Sequence, residues 1–390
     1  MNDSNLLATY PPFNTKLLNG NDVFLYDDKG NEYLDCLAGI AVVSLGHANV
    51  EIANVIAEQS KKLIHVSNYF ENEYTQSVAS KINEKITLTF EDTDGKVFFS
   101  NSGAEANECA IKIAKRFGKG KKYKFLTAVN SFHGRTLATL AATGQSAKHK
   151  NFAPLPDYFK YFEFGNAESL KDQIDDECIA VMIEVIQGEA GVRVSDQAFF
   201  DDVQKICKEN DLLLIVDEIQ TGMCRTGKWF GFQNYNLKPD IVTMAKALGN
   251  GFPVGACWSE NSVAKLMEVG DHGSTFGGQP LALSVVNCVF DILERESFAS
   301  HTDKIGKIFI DSLIESGLFS EVRGLGLLIG ADINIDVVGV DAHQYVKNAL
   351  KNGLIINATS EKTIRIAPPL TFKEEHIFKT VEILKKSVAS

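Results

Sequence analysis

A lysine and an aspartate follow two apolar segments in the middle of the chain. Leu212 to Val216 is an unbroken apolar run followed by Asp217, and Ile241 to Ala245 is a second run followed by Lys246. Such runs, bounded by polar turn residues, are typical of strands covered on both faces of a parallel sheet. Because ligands bind beyond the carboxyl ends of these strands, both side chains are candidates for chemistry.

Together the two side chains indicate carbonyl chemistry at an amine. A lysine partly removed from water has a pKa lowered toward neutrality, so Lys246 can act as a Schiff-base nucleophile. A buried carboxylate such as Asp217 needs a cationic partner. A protonated pyridine nitrogen supplies one, and pyridoxal 5′-phosphate (PLP) chemistry uses this arrangement. A lone lysine or aspartate is more often a surface side chain or a turn cap, so the interpretation depends on neighbouring motifs.

A predicted strand-to-helix junction could bind a phosphate. The apolar residues Val97 to Phe99 lead into Ser102, Gly103 and Ala104, and a helical pattern follows. Ser102 can cap the helix, and Gly103 lets a ligand approach the backbone closely. The first N–H groups of a helix are unpaired and attract anions. The alternative is an ordinary capped helix.

Two further glycine-containing loops carry groups suited to a flat ring and to anions. Phe132 and Arg135 share one loop and could stack on a ring and bind a carboxylate, or could be a core aromatic and a surface ion pair. Ser274 and Thr275 lie in a loop rich in glycine and hydroxyl groups, which could donate to a phosphate or form a plain turn.

The remaining candidate groups also stand beside predicted strands. Ile179 to Val185 is a buried strand whose carboxyl end is followed by polar groups, and Arg365 alternates with apolar residues in a strand over Thr363 to Ala367. A buried arginine needs an anion, either a substrate or a structural partner. Val322 to Gly330 is predicted to be one glycine-interrupted strand, and Thr371 to Glu374 a capping box opening the last helix.

Composition limits the classes of function. The chain has 390 residues, 45% of them hydrophobic, and a net charge of −11, which argues against a nucleic-acid partner. No apolar run approaches the roughly 20 residues of a membrane span, and Met1 to Tyr10 lacks a signal-peptide pattern. Seven scattered cysteines without a CxxC pair indicate no disulfide framework and no metal site, so a cytoplasmic protein is expected.

The motifs taken in order resemble the class III, ornithine-type, PLP-dependent aminotransferases, from about Tyr10 to the C-terminus. The resemblance is carried by YLDCLAGIAVVSLGH, SNSGAEANE, FHGRT, EVIQGEAG, VDEIQTG, MAKALGNGFPVGA, HGSTFGG and VRGLGLLIG. Within the class, the short length, FHGRT and HGSTFGG are most similar to the acetylornithine-type family. Val185 and Cys224 depart from the usual proline and glycine of that pattern, and Asn19 to Asp22 lacks its basic residue and second glycine.

The resemblance implies an architecture. It implies an α/β protein of fold type I, aspartate aminotransferase-like, with a mixed, mostly parallel sheet in a large PLP-binding domain at 46–281. A smaller α/β domain would be built from both chain ends, 1–45 and 282–390. The alternation of strand and helix between about residues 97 and 258 independently favours a doubly wound sheet. The resemblance also implies a homodimer with shared active sites.

It implies a role for each candidate residue. The cofactor would be held by Lys246 (the covalent link and proton shuttle), Asp217 (the pyridine nitrogen), Gln220 (the phenolic oxygen), Phe132 (stacking), Ser102, Gly103 and Ala104 (the phosphate) and Thr275 (the phosphate in the neighbouring subunit). The substrates would meet Arg365 (the α-carboxylate of glutamate), Glu189 (the alternative partner of Arg365), Arg135 and Ser274 (acetylornithine), with Arg135 also receiving the distal carboxylate of glutamate.

The implied reaction transfers the terminal amino group of N2-acetyl-L-ornithine to 2-oxoglutarate, giving N-acetyl-L-glutamate 5-semialdehyde and L-glutamate, a step of arginine biosynthesis. Succinylornithine, ornithine or 4-aminobutyrate aminotransferases, and the lysine-pathway homologue, share this machinery. An aminomutase or racemase would use the same lysine without a 2-oxo acid, and a non-catalytic PLP-binding protein is a third class.

Overall fold

The computed structural model describes residues 5–10, 13, 15–90 and 93–388. The strands are β1 (Leu17–Asn21), β2 (Phe24–Asp27), β3 (Glu32–Asp35), β4 (Gly95–Ser100), β5 (Lys124–Ala128), β6 (Phe159–Phe162), β7 (Cys178–Glu184), β8 (Ile186–Gln187), β9 (Arg193–Val194), β10 (Leu213–Asp217), β11 (Ile241–Met244), β12 (Gly255–Glu260), β13 (Phe319–Leu325), β14 (Leu328–Ile333), β15 (Leu354–Ile355), β16 (Asn357–Ala358) and β17 (Thr363–Ile366).

The helices are α1 (Ala38–Ala41), α2 (Val50–Lys62), α3 (Thr75–Thr87), α4 (Gly103–Phe117), α5 (Leu137–Ala142), α6 (Ser146–His149), α7 (Ala167–Asp172), α8 (Gln197–Glu209), α9 (Asn261–Ala264), α10 (Pro280–Arg295), α11 (Phe298–Glu315), α12 (Ile335–Val338), α13 (Ala342–Lys351) and α14 (Glu374–Lys386). Short 3₁₀ turns occupy Gly231–Asn234 and Lys246–Gly249.

A seven-stranded sheet forms the centre of the molecule, in the order β4-β12-β11-β10-β7-β5-β6. Within it, β12 runs antiparallel to both neighbours, and the other pairs are parallel. All residues of β7, β10 and β11 are buried, as expected for continuous apolar runs covered by helices on both faces. The prediction of a mixed, mostly parallel sheet is confirmed.

The register of this sheet brings three polar side chains together. Asp217, the last residue of β10, lies opposite Glu184 of β7 and Thr243 of β11. Parallel strands end at the same edge of a sheet, so the polar groups that follow them face one region. Helix α4 packs behind this edge and buries Ala106, Asn107 and one face of its first three turns.

Two smaller sheets come from the chain ends. The first has the order β1-β2-β3-β15, in which β15 from the C-terminal part lies parallel to β3; the second has the order β13-β14-β17-β16. Neither sheet takes a strand from 46–281. The domain division at residues 45/46 and 281/282 stays a prediction.

Two local predictions are wrong. Val322 to Gly330 does not form one strand, because β13 and β14 pair as an antiparallel hairpin whose turn contains Gly326 at a φ of 55°. A tight hairpin turn requires positive φ, which glycine adopts without strain. Thr371 does not cap the last helix: its hydroxyl donates to Asp22 at 2.5 Å, and α14 begins at Glu374 with Lys373 as N-cap. The Thr371 hydroxyl thus bonds to a residue distant in sequence, whereas the local pattern predicted that it would cap the helix.

Candidate active site

A cavity of about 400 Å³ opens at the carboxyl ends of β7, β10 and β11. It is lined by nine of the twelve residues predicted from the sequence: Ser102, Gly103, Ala104, Phe132, Arg135, Glu189, Asp217, Gln220 and Lys246. Arg365 adjoins it through Glu189 and Gln220. Ser274 and Thr275 lie outside it, in a separate surface depression.

Lys246 lies two residues after the end of β11, at the start of a 3₁₀ turn, and is partly buried. Burial, followed by the charge of Arg365, lowers the pKa of its amine to about 8, although the carboxyl groups of Glu189, Asp217 and Glu184 oppose the shift. Among the described residues, none forms a hydrogen bond or ion pair with this amine. A reactive neutral amine is therefore available close to physiological pH.

Asp217 is only 4% exposed and is held by three donors. Its Oδ2 accepts hydrogen bonds from Asn107 Nδ2 and His133 Nδ1, both at 2.8 Å, and its Oδ1 accepts one from the Ile219 N–H at 3.1 Å. Oδ2 is saturated, whereas Oδ1 keeps a lone pair for a further donor. The carboxylate is thus fixed in place with one oxygen free to accept a hydrogen bond.

Asn107 and His133 are functional residues that the sequence reasoning missed. Asn107 accepts from Thr243 Oγ1 at 2.7 Å and donates to the carbonyl of His133 at 2.7 Å, which ties α4, β11 and the loop after β5 to Asp217. His133 belongs to the FHGRT motif already singled out, so that motif was a usable signal. No sequence pattern indicated a functional role for Asn107, because a buried amide on a helix usually has a structural partner.

Glu184 was also missed, although it ends a buried strand as Asp217 does. Its Oε2 accepts the Phe132 N–H at 3.0 Å. Burial, followed by the neighbouring charge of Asp217, raises the pKa of this carboxyl well above its ordinary value. Burial beside the carboxylate of Asp217 thus favours the neutral form of Glu184.

The N-terminus of α4 forms an anion cradle. Ser102 is the N-cap, and its Oγ accepts the Glu105 N–H at 3.2 Å. The N–H groups of the first helical residues, Gly103 and Ala104, have no partner within the helix. A Cβ at Gly103 would lie 2.7 Å from Ile219 Cδ1, so glycine keeps this backbone close to the loop that carries Gln220. Unpaired N–H groups beside a positive helix end suit a phosphate.

Arg365 and Glu189 form an ion pair beside the cavity. Arg365 is 1% exposed, and its Nη1 donates to Glu189 Oε1 at 2.6 Å, to the Gly188 carbonyl at 3.2 Å and to Gln220 Oε1 at 3.5 Å. Its Nε donates to Asn357 Oδ1 at 3.2 Å. Burial acts to raise the pKa of Glu189, but the charge and hydrogen bond of Arg365 outweigh it, so the net shift is downward.

The FHGRT loop presents an aromatic face and a cation. Phe132 lines the cavity, and the guanidinium of Arg135 lies 5.5 Å from the centroid of its ring. Arg135 is exposed and forms no salt bridge with a described residue. The loop therefore offers a flat apolar surface and an unpaired positive charge at the entrance of the cavity.

Ser274 and Thr275 occupy a loop at the molecular surface. Ser274 Oγ accepts from Asn101 Nδ2 at 3.1 Å, and Asn101 in turn lines the cavity. Thr275 is exposed, and the loop is held against β4 by Gly277, where a Cβ would lie 2.2 Å from the Phe99 carbonyl. Tyr69 lines the same depression as Thr275 and is exposed, as are its chain neighbour Phe70 and Phe276, which follows Thr275.

The residues present fit PLP. A cavity of this size matches a small-molecule cofactor, and it joins one low-pKa amine, one fixed carboxylate, one aromatic face and one helix N-terminus. These are the groups that an aldehyde, a pyridinium nitrogen, a flat ring and a phosphate would each require. Within the described residues, no group of three His, Cys, Asp or Glu side chains could hold a metal ion.

None of the helices in the described part of the chain is long and apolar enough to cross a membrane.

The comparisons with known proteins agree on one family. The family model described as aminotransferase class-III matches residues 8–388. The curated acetylornithine aminotransferase of Aquifex aeolicus is 42% identical over 98% of this chain and 99% of its own length, and that of Caldanaerobacter subterraneus is 44% identical over 97% and 96%.

Solved structures give the same result. The crystal structure of the acetylornithine aminotransferase of Elizabethkingia anophelis has a TM-score of 0.85 and 33% identity, over 98% of this chain and 96% of that one. An ornithine aminotransferase of Toxoplasma gondii, with partial occupancy of PLP at its active site, has a TM-score of 0.91 and 29% identity, over 98% and 92%. The predicted fold is confirmed.

Proposed function

Because the chain belongs to the class-III aminotransferases, which use PLP, we propose that it transfers the terminal amino group of N2-acetyl-L-ornithine to 2-oxoglutarate. The products are N-acetyl-L-glutamate 5-semialdehyde and L-glutamate, in a step of arginine biosynthesis. Five curated relatives with the corresponding name, 41–44% identical over 95–98% of the chain, support this reaction.

The Glu189–Arg365 pair carries the proposal on physical grounds. An amino acceptor such as 2-oxoglutarate has a carboxylate next to its reacting carbon, whereas the terminal carbon of acetylornithine carries none. Arg365 is charged in both half-reactions and must be paired in both. The 2.6 Å bond to Glu189 satisfies it with the amine substrate, and a 2-oxo acid would displace Glu189 and take its place.

The geometry of the cavity supports a cofactor role for each of the residues predicted to bind PLP there. Asp217 Oδ1 would accept from a pyridinium nitrogen, while His133 and Asn107 keep that carboxylate oriented. Phe132 would cover the ring, Gln220 would approach its phenolic oxygen, and Ser102, Gly103 and Ala104 would hold the phosphate. When bound, PLP supplies an aldehyde and an electron-withdrawing ring. Lys246 would bind the aldehyde and, once released, move the proton at the substrate carbon.

We assign the far end of the substrate to Arg135 and Ser274. Arg135 would bind the carboxylate of acetylornithine and the distal carboxylate of glutamate, and Ser274 would contact acetylornithine. The absence of a salt bridge at Arg135, among the described residues, supports this assignment.

We also propose a homodimer with shared active sites, in the cytoplasm. Thr275 lies outside the cavity of its own chain, and Tyr69, Phe70 and Phe276 beside it are exposed aromatics of the kind that subunit interfaces cover. In this arrangement Thr275 would reach the phosphate bound by the neighbouring subunit. The seven free, buried cysteines are those of a protein that needs no disulfide.

A panel of amines tests the proposed reaction. We expect kcat/KM with 2-oxoglutarate as acceptor to be highest for N2-acetyl-L-ornithine, followed by N2-succinyl-L-ornithine. We expect it to be at least about tenfold lower for ornithine, whose α-nitrogen is a charged ammonium instead of an amide, and for 4-aminobutyrate, which has no α-nitrogen. A higher value for ornithine would assign the chain to the alternative reaction that its structural neighbour in Toxoplasma gondii performs. Turnover without any 2-oxo acid would indicate an aminomutase.

A further inference from the structure

A second unpaired cation lies over the ring of Phe132. The ammonium of Lys148, on α6, is 5.7 Å from the ring centroid, and the guanidinium of Arg135 is 5.5 Å from the same centroid. Both distances are within the range of a cation–π contact. Phe132 and Arg135 line the cavity, and Lys148 adjoins it through the ring of Phe132.

Lys148 is held in this position by the loop that it faces. Its ammonium donates to Gln145 Oε1, and Gln145 Nε2 donates to the carbonyl of Ser131 at 2.9 Å, the residue before Phe132. His149 fixes the same short helix through the carbonyls of Leu140 and Thr143, at 2.9 and 2.7 Å. The ammonium is therefore tethered by a neutral amide.

Neither cation over Phe132 is paired with a carboxylate of the described residues. Within the described residues, neither Lys148 nor Arg135 takes part in a salt bridge, whereas the nearby Arg365 is paired with Glu189 at 2.6 Å. Partial burial, followed by the charge of Arg135, lowers the pKa of Lys148, and Glu189 opposes the shift. Two adjacent cations without an anion repel each other, and a bound carboxylate would relieve that repulsion.

We propose that Lys148 is a specificity-determining residue that, with Arg135, forms a two-cation subsite over Phe132 for the carboxylate at the far end of the substrate. The ligand class is a dicarboxylic 2-oxo acid, or an acylated amino acid whose carboxylate is remote from the reacting amine. This inference rests on the proposed function, since it takes the reacting carbon to lie at Lys246 and the α-carboxylate of the acceptor at Arg365.

The test compares two acceptors that differ in the distal carboxylate. The protein is loaded with pyridoxamine 5′-phosphate, and single-turnover reaction with 2-oxoglutarate or 2-oxobutyrate is followed by absorbance. This half-reaction needs no amine substrate. A wild-type protein that prefers 2-oxobutyrate would refute the dicarboxylate acceptor of the proposed function, which is a different result from an ineffective Lys148 variant.

We expect Lys148→Gln to raise the half-saturation concentration for 2-oxoglutarate about tenfold, with the limiting rate changed less than about twofold and the constants for 2-oxobutyrate unchanged. Lys148→Arg, which retains the charge, should restore most of the affinity. Lys150→Gln is the matched control, because Lys150 is an exposed lysine two residues away whose side chain forms no hydrogen bond or salt bridge with a described residue. Equal losses for both acceptors, no loss for either, or failure of Lys148→Arg to rescue would overturn the proposal.

Discussion

At the scale of single residues, the site depends on how charges are balanced around one amine. Lys246 lies between the cation of Arg365, which favours its neutral form, and three carboxyl groups that favour the charged form. Burial decides the outcome, and the pKa of about 8 leaves roughly one amine in ten neutral at pH 7. Small changes in neighbouring charge should therefore change the reactive fraction directly.

The pH dependence of cofactor uptake follows from this value. The neutral amine is the nucleophile, so the rate at which cofactor-free protein binds PLP should rise about tenfold between pH 7 and pH 9 and then level off. The rate is measured by stopped-flow absorbance at constant ionic strength. A rate that continues to climb steeply through pH 10 would mean that the amine keeps its ordinary pKa.

Removing Glu189 should impair substrate choice more than cofactor binding. In Glu189→Ala, Arg365 loses its 2.6 Å partner and stays free to bind a carboxylate in both half-reactions. We expect the ratio of kcat/KM for acetylornithine to that for glutamate to fall about tenfold, with PLP affinity changed less than twofold. Glu189→Gln, which keeps a hydrogen-bond acceptor, should give an intermediate ratio. Equal losses of kcat/KM in both half-reactions would contradict the proposed displacement of Glu189 from Arg365 by the 2-oxo acid.

The charged residues of the site were easier to predict from the sequence than the residues that orient them through hydrogen bonds. Lys246 and Asp217 could be found because each ends an apolar run, and Arg365 because a charge interrupts a strand. Glu184 ends a run in the same way but was not recognised. Asn107 and the side chain of His133 act through Asp217, a contact between residues 110 and 84 positions apart, and no local pattern encodes it.

At the scale of elements, close backbone approaches fix the geometry of the cavity. A Cβ on Gly188 would lie 1.7 Å from Gln220 Oε1, and the nearest atoms it would meet all belong to that side chain. Gln220 also accepts from Arg365. The loop after β8 and the loop after β10 are thus in contact at a residue assigned to the cofactor.

Gly188→Ala should therefore reproduce the effect of losing Gln220. The displaced atom is the end of a flexible side chain, so we expect the free energy of unfolding to fall by less than about 1 kcal/mol and kcat/KM to fall at least tenfold. Gln220→Ala should show a similar loss, and the double variant should lose little more than either single one. Additive losses of kcat/KM would indicate that Gly188→Ala impairs activity by a route other than the displacement of Gln220.

Element types were predictable where the hydrophobic pattern was long, and boundaries failed where distant contacts intervene. The strand that ends at Asp217 and the strand before Lys246 are present, with α4 between β4 and β5 as expected. The β13–β14 hairpin was not predicted, because several glycines in one apolar run conceal which of them makes the turn. Only the pairing of Leu325 with Leu328 in the structure identifies Gly326 as the glycine in the turn.

At the scale of the whole molecule, strands from the two ends of the chain pair with each other, and several aromatic side chains near Thr275 are exposed. β3 and β15 pair across more than three hundred residues of chain, which no local signal predicts. The exposed aromatics near Thr275 could not be recognised from the sequence either, since exposure depends on the packed fold.

This surface gives a test of the proposed dimer. Phe70 is 66% exposed beside Asn68 and Tyr69, and Phe378 is similarly exposed, at 61%, on α14. We expect Phe70→Glu to give a monomer by analytical ultracentrifugation. The variant should also bind PLP more weakly, because Thr275 of the other subunit would no longer reach the phosphate. Phe378→Glu is the matched control and should leave both unchanged. A dimeric Phe70→Glu protein with normal PLP affinity would argue against this interface.

The attachment site of the cofactor tests the central claim most directly. The PLP-loaded protein is reduced with borohydride, digested, and examined by peptide mass spectrometry, with Lys246→Ala treated in parallel. We predict that the reduced cofactor is found on the peptide containing Lys246 and that the variant carries no label and transfers no amino group. A label on another lysine, or transamination by Lys246→Ala at the wild-type rate, would contradict the account.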